Sequence, residues 1–262
     1  MTRLIPILDG HIAFDPSLLP EVRKAPGEAA RLLGATSMPD AIDVPVWCYL
    51  VTSPLGLGLI DTGSGALFGE PDGRLRDSFA RHGVRPEDIG RIWLTHLHGD
   101  HCGGLIAMDG EPAFPTARIA LPEAEAAFWL DGQHTDMAAD IARDARAALA
   151  PYQGRIDLVG DEAEIDGAIA LAAPGHTPGH MAWHLPEHGA LAAGDIFHLP
   201  ALQLPNPDWS SDWDSDPDLA SATRTSLITR ARRRSLTLLT GHGGMIEPQS
   251  LPAQDETETE HS

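Results

Sequence analysis

The sequence predicts an α/β fold in which several short strands end along one edge of a sheet. Three observations carry that prediction. Apolar runs of strand length recur at Ile89 to Leu94, Ala168 to Ala173, Ala190 to Ala193 and Ser235 to Thr240. Each hands over directly to a polar, glycine-bearing segment: Thr95-His96-Leu97-His98-Gly99-Asp100-His101, Pro174-Gly175-His176, Gly194-Asp195 and Gly241-His242-Gly243-Gly244. Helical patterns lie between some of them, the stretch Thr135 to Leu149 being the clearest. Four such deliveries converge only if the strands lie side by side with their carboxyl ends at one edge, which is where open α/β sheets place their sites.

Taken in order, Ile5 to Phe14 reads as an opening strand, after which Pro16, Pro20 and Pro26 are expected to keep the chain irregular. A short helix is expected within residues 28–38. Val44 to Thr52 and Leu57 to Ile60 are strands joined by Ser53-Pro54-Leu55-Gly56, a hairpin that ends in the polar turn Asp61-Thr62-Gly63-Ser64-Gly65. Asp61 either orients a ligand histidine or bonds its own backbone in the turn. Gly73 to His82 reads as a helix stopped by Gly83. A further helix is expected to begin within residues 103–108 and to break at Asp109-Gly110. Ala117 to Leu121 is a strand, and Pro122-Glu123 opens a helix through Trp129. Thr135 to Leu149 carries Met137, Ile141, Ala145 and Leu149 at spacing four, a stripe for core or lid packing. His134, just before it, reads as an exposed loop residue. Ile156 to Val159 and Met181 to Leu185 complete the strands. One domain is expected over residues 1–250, followed by an acidic tail at 251–262 that lacks apolar anchors and is expected to be disordered.

Lys and Arg number 18 against 38 Asp and Glu, for a net charge of −20. That field repels phosphate backbones and anionic membrane surfaces, so neither nucleic acid nor membrane is expected as a partner. No apolar run reaches the length of a membrane span, and no apolar leader follows Met1, so a cytoplasmic protein is the expectation. Cys48, in an apolar run, and Cys102, beside the histidines, both read as packing residues, with no disulfide framework. Homodimerisation rests on base rate alone.

The stretch His96 to His101 holds three histidines and one carboxylate, the groups that Zn²⁺ and its neighbours in the series accept as ligands. On extended backbone His96 and His98 point to the same side. Asp100 and His101 follow once the chain has turned and can face a second metal. With His176, Asp195 and His242 the set grows to five imidazoles and two carboxylates. In these residues the chain resembles the metallo-β-lactamase-fold hydrolases, a superfamily marked by HxHxDH followed by separate His, Asp and His. The resemblance implies a four-layer αββα sandwich with a dinuclear site at the edge of two mixed sheets. It implies that His96, His98 and His176 hold one divalent ion and that Asp100, His101 and His242 hold a second. Asp195 would bridge them, with a bridging hydroxide completing each site. Zinc is the default metal, and iron, manganese or cobalt would suit the same ligands.

Within the superfamily, Leu59-Ile60-Asp61-Thr62-Gly63, Leu67-Phe68-Gly69 and Gly175-His176-Thr177-Pro178-Gly179-His180 are similar to the methyl parathion hydrolase-like and quorum-quenching lactonase branch. Pro200-Ala201-Leu202-Gln203, Asp214-Ser215-Asp216-Pro217 and Ala222-Thr223-Arg224 match it as well. The well-known lactonases place a Tyr three residues after the bridging Asp, where this chain has His198. His198 is therefore either the group that polarises a substrate carbonyl or a histidine packed beside the metals that supports their ligands. Asp100 either shuttles a proton to the leaving group or serves only as a ligand. Phe14, Trp47, Leu67, Phe68, Phe197, His198 and Leu202 could form an apolar wall for acyl or aryl groups, although core burial is the first reading of each one taken singly. The expected activity is hydrolysis of a small-molecule lactone or carboxylic ester, with phosphotriester cleavage on the side. A glyoxalase II-like thioester hydrolase is the enzymatic alternative, weakened because the chain ends soon after His242. A non-catalytic metal-stabilised sensor or binding module is the alternative of another class, and it predicts missing ligands, whereas all seven positions are filled.

Overall fold

Residues 2–65 and 74–252 are described by the structure, a computed structural model of the chain. Twelve strands among them form two six-stranded mixed sheets. The first contains β1 (Arg3–Phe14), β2 (Ile42–Ser53), β3 (Gly56–Ile60), β4 (Ile89–Trp93), β5 (Arg118–Pro122) and β6 (Ile156–Val159), paired in that order. The second contains β7 (Glu164–Ile165), β8 (Ala168–Ala172), β9 (Met181–Leu185), β10 (Ala190–Gly194), β11 (Thr237–Thr240) and β12 (Gly244–Ile246), again paired in sequence order.

Period-two alternation explains how the sheets stack. Along β2, Tyr49 and Val51 point into the space between the sheets, while Cys48 and Leu50 point to the outer face. Along β10, Ala190 and Ala192 face inward, and Leu191 and Ala193 face outward. Trp93 and Trp183, one from each sheet, fill the inner layer. The helices are α1 (Pro20–Lys24), α2 (Pro26–Leu32), α3 (Leu75–Arg81), α4 (Gly99–Cys102), α5 (Glu123–Ala126), α6 (Asp136–Leu149), α7 (Pro200–Gln203) and α8 (Pro217–Arg233). Residues of α3 and α6 cover the outer face of the first sheet, and those of α8 cover the second. The result is the αββα sandwich that the resemblance implies.

Strand direction brings the deliveries together. β3, β4, β5 and β6 are mutually parallel. β8 and β10 are each antiparallel to β9, and β10 is parallel to β11, so β8, β10 and β11 also share a direction. The segments after β3, β4, β8, β10 and β11 thus leave at one edge of the sandwich.

Pro20 and Pro26 do not keep the chain irregular. Each opens a short helix from its first turn, where a missing N–H costs nothing. The helix expected in residues 28–38 ends at Leu32, because it starts earlier. No α-helix begins at 103–108; α4 precedes it and Gly103–Leu105 forms a single 3-10 turn. The helix from Pro122 relaxes after Ala126 into a π-helical turn, Ala127–Asp131. The 17-residue α8 was not anticipated, although Asp216 caps it by accepting from the Leu219 N–H and Pro217 stands at its first position. Four arginines at its end mask its apolar stripe of Ala220, Leu227, Ile228 and Ala231. Leu251 packs into the outer core of the second sheet, so the apolar anchoring extends past residue 250. Residues 253–262 of the expected acidic tail, with Leu67, Phe68, Gly69 and Gly73, lie outside the described residues. No described helix is long and apolar enough to cross a membrane. Cys48 and Cys102 are both buried free thiols.

Candidate metal centre

Strand β4 ends at Trp93, and His98 is extended (φ −70°, ψ 154°) where the chain turns into α4. Leu97 points into the core behind the first sheet, and His96 and His98 therefore face the other way, with ring centroids 4.7 Å apart. The α4 turn carries Asp100 and His101 round to a second position. His176 arrives from the loop after β8, where Gly175 (φ +132°) lies so close to the Ala220 backbone that a Cβ would collide with it. Asp195 follows a register shift in β10, and His242 follows β11. All seven sequence-predicted ligand residues meet at one edge. Their ligand atoms fall into two groups, His96 with His98 and His176, and Asp100 with His101, Asp195 and His242, each within 4.8 Å across.

Asp195 sits where it can serve both groups. Its Oδ1 lies 3.1 Å from His101 Nε2, and its Oδ2 lies 3.1 Å from His242 Nε2 and 4.0 Å from His176 Nε2. Asp100 Oδ2 is 3.4 Å from His242 Nε2 and 3.6 Å from His101 Nε2.

Hydrogen bonds on the far sides of the rings set which nitrogen faces inward. His242 Nδ1 lies 3.0 Å from the Pro45 carbonyl, which can only accept, so Nδ1 carries the proton and Nε2 keeps its lone pair. Asp61 Oδ2 accepts from His101 Nδ1 (2.9 Å) and from the Thr95 hydroxyl (2.8 Å), while Oδ1 accepts from the Thr95 N–H. With its proton given to Asp61, the Thr95 hydroxyl accepts from His96 Nδ1 (3.0 Å). Asp61 thus orients two histidines at once, which decides between its two sequence readings. The inner Nε2 of His96 is buried and has no hydrogen-bond partner.

These orientations fit a divalent cation. The lone pairs of His101 Nε2 and His242 Nε2 confront carboxylate oxygens, acceptor against acceptor, and only a proton or a metal ion reconciles them. Without a metal a proton does so: burial alone would lower both pKa values, but the carboxylates of Asp195 and Asp100 outweigh it, raising His101 well above the ordinary range and His242 to about 10. In the other group burial dominates, and neighbouring imidazoles add to it. It drives His96 well down and His98 to about 3, the neutral form that ligates metals.

Other groups here were not legible as site residues. Asp214 Oδ1 lies 3.2 Å from His176 Nδ1, and the buried Arg224 stands behind it, 3.7 Å from Asp214 Oδ2. His180 Nε2 accepts from the Asp195 N–H (3.2 Å). Gln203 Oε1 accepts from the N–H groups of His198 (2.7 Å) and Leu199 (3.0 Å), fixing the loop that presents His198. His134 is not a free loop residue: its Nε2 lies 2.7 Å from the Phe128 carbonyl, and its ring packs on Phe128 and Trp129.

A cavity of ≈ 530 Å³ opens over the cluster. Its floor is His98, Asp100, His176, Asp195, His198 and His242, and its apolar walls are Ile12, Phe14, Leu18, Met137, Ile141 and Trp213. Of the expected wall, Phe14 and His198 line it. Phe197 and Leu202 are buried in apolar clusters behind it, and Trp47 lies against Gly244 instead.

A model of the metallo-beta-lactamase superfamily matches residues 41–242. The chain belongs to the metallo-beta-lactamase superfamily. Among superfamily relatives, an N-acyl homoserine lactonase from Bacillus sp. is 29% identical over 161 residues, a match that covers 54% of this chain and 58% of that protein. The crystal structure of the hydrolase AbOPH superposes with a TM-score of 0.85 at 27% identity, covering 94% of this chain and 89% of the other. AidC, a dizinc quorum-quenching lactonase, shares the fold with a TM-score of 0.84 at 24% identity, over 94% and 90% of the two chains.

Proposed function

We propose that the chain is a metal-dependent hydrolase of small-molecule lactones or carboxylic esters. The observation that carries this reading is the convergence of five imidazoles and two carboxylates on the floor of an apolar cavity. His96, His98 and His176 would hold one divalent ion, and Asp100, His101 and His242 a second, with Asp195 between them. Zinc is the first candidate, as in the dizinc AidC. Two such ions supply Lewis acidity toward a substrate oxygen and lower the pKa of water.

The protein's own groups do the rest. Asp100 borders the cavity and accepts the proton released by the attacking water, then returns it to the leaving oxygen. His198 lines the cavity with neither ring nitrogen hydrogen-bonded, its centroid 4.8 Å from that of His176. Burial holds its pKa down to about 4 against the pull of Asp214, so the ring is neutral and offers one N–H to a substrate carbonyl. The walls of Ile12, Phe14, Leu18, Met137, Ile141 and Trp213 suit an acyl chain. No lysine or arginine lines the cavity among the described residues, which disfavours an anionic thioester such as that of glutathione. Neutral phosphotriesters satisfy the same walls and are the expected side activity.

The test is a panel of aliphatic lactones, aryl esters, a glutathione thioester and an aryl phosphotriester, assayed with the zinc-loaded full chain. The highest kcat/KM is expected on a lactone or ester. Turnover of the thioester alone, or of none while two metals are bound, overturns the reading.

A further inference from the structure

Glu125 is a fully buried carboxylate whose hydrogen bonds among the described residues come from Leu97, Trp129 and Thr177, none of them a predicted ligand. Instead it gathers three chain segments that carry or contact those ligands. Its Oε1 accepts from the backbone N–H of Leu97 (3.0 Å), the residue between His96 and His98. The same oxygen accepts from Trp129 Nε1 (2.7 Å), and the Trp129 ring stands edge-on to His98 with centroids 5.6 Å apart. Its Oε2 accepts from the Thr177 hydroxyl (2.7 Å), one residue beyond His176. The approach is close on the backbone side as well, since a Cβ at Gly179 would collide with the Glu125 N and Cα.

We propose that Glu125 is the positioning residue of the His96, His98 and His176 site, holding the β4 and β8 loops at the separation that lets three imidazoles share one cation. The inference rests on reading these histidines as metal ligands. With three donors on its two oxygens, Glu125 acts through the loops and is not a ligand itself. A buried carboxylate is costly unless its lone pairs are filled. The site therefore has one arrangement in which Leu97, Trp129 and Thr177 are all satisfied, and in that arrangement His98 Nδ1 and His176 Nε2 come within 2.9 Å of each other.

The test compares E125Q and E125A with the unchanged full chain. The Gln carbonyl can keep both Oε1 bonds, and its amide can donate to the Thr177 hydroxyl oxygen, so E125Q preserves the pattern that E125A removes. Zinc is titrated into metal-free protein against a chromophoric chelator, and the visible spectrum of the cobalt-substituted form reports ligand geometry. The wild type is expected to bind two zinc ions per chain. E125A should bind one of them ~10–100-fold more weakly, the range seen when groups behind metal ligands are lost, with an altered cobalt spectrum. E125Q should match the wild type in both readouts. If E125A does not fold, T177V supplies the comparison by deleting a single bond, with a smaller loss of the same site. Two equally tight zinc ions and an unchanged spectrum in E125A, or in T177V, overturn the proposal, as does E125Q failing like E125A. A wild type that binds no zinc overturns the metal reading itself.

Discussion

A histidine can ligate a metal only if the right nitrogen carries the lone pair, and here that choice is made by residues that never face the cavity. Asp61 is the clearest case, because one carboxylate accepts from Thr95 twice and from His101 once. Its φ of +54° is a conformation that Asp tolerates better than most residues, at a turn where the carboxylate must point back into the sheet edge. Asp61→Ala should lower the affinity of the Asp100, His101 and His242 site for zinc by ~10–100-fold, read by chelator competition. Asp100→Asn separates its two readings: with metal content kept, kcat should fall by ~10²–10⁴-fold, and unchanged turnover would leave it a ligand only. At this scale the seven inward residues were legible because HxHxDH crowds four of them into six positions. Gln203 and Asp214 stand in segments that match the lactonase branch but carry no ligand spacing, and Glu125 stands in no motif, because a group that works through another residue leaves no spacing signal.

Elements carry the ligands and also shape what can reach them. The stripe of helix α6 changes role along its length: Ala145 and Leu149 are core residues, Ile141 packs on that core and also lines the cavity, and Met137 lines the cavity with Asp140 and Asp144. The spacing-four stripe was legible in sequence, but not the point at which it leaves the core, since that depends on how far the sheet beneath it extends. Met137 is 57% exposed, so Met137→Ala should leave the melting temperature nearly unchanged. It should raise KM for long-chain acyl substrates more than for short ones, in a comparison across chain length. Helix α8 was missed for the opposite reason. Its buried face mixes Ala220, Leu227, Ile228 and Ala231 with Arg224, which is held inside by the Ile196, Pro207 and Trp209 carbonyls, so its pattern reads as polar.

The whole molecule depends on two sheets keeping one edge in common. Arg91 on β4 links them, bonding Asp157 on β6 (2.6 Å) and Asp166 in the β7–β8 turn (2.5 Å), while Arg118 forks onto Asp157. Bonds from Arg118, then Arg91, hold the Asp157 pKa down to about 2 against partial burial. The unfolded chain takes up that proton near the ordinary value of 3.8, so stability contributed above about pH 4 is lost as pH falls toward 2. Asp157→Asn should flatten denaturant stability across that interval, measured at fixed salt. The direction of the strands, and hence the shared edge, was legible from the four ligand deliveries. The linking ion pairs were not, because Arg91 and Asp166 are distant in sequence and carry no motif. The proposed hydrolysis requires both groups of ligands filled. Its most direct test is the initial rate of lactone hydrolysis by metal-free full chain as zinc is added. The rate should rise from zero and reach its plateau at two equivalents per chain. Full activity without zinc, or none at any stoichiometry, would contradict the account.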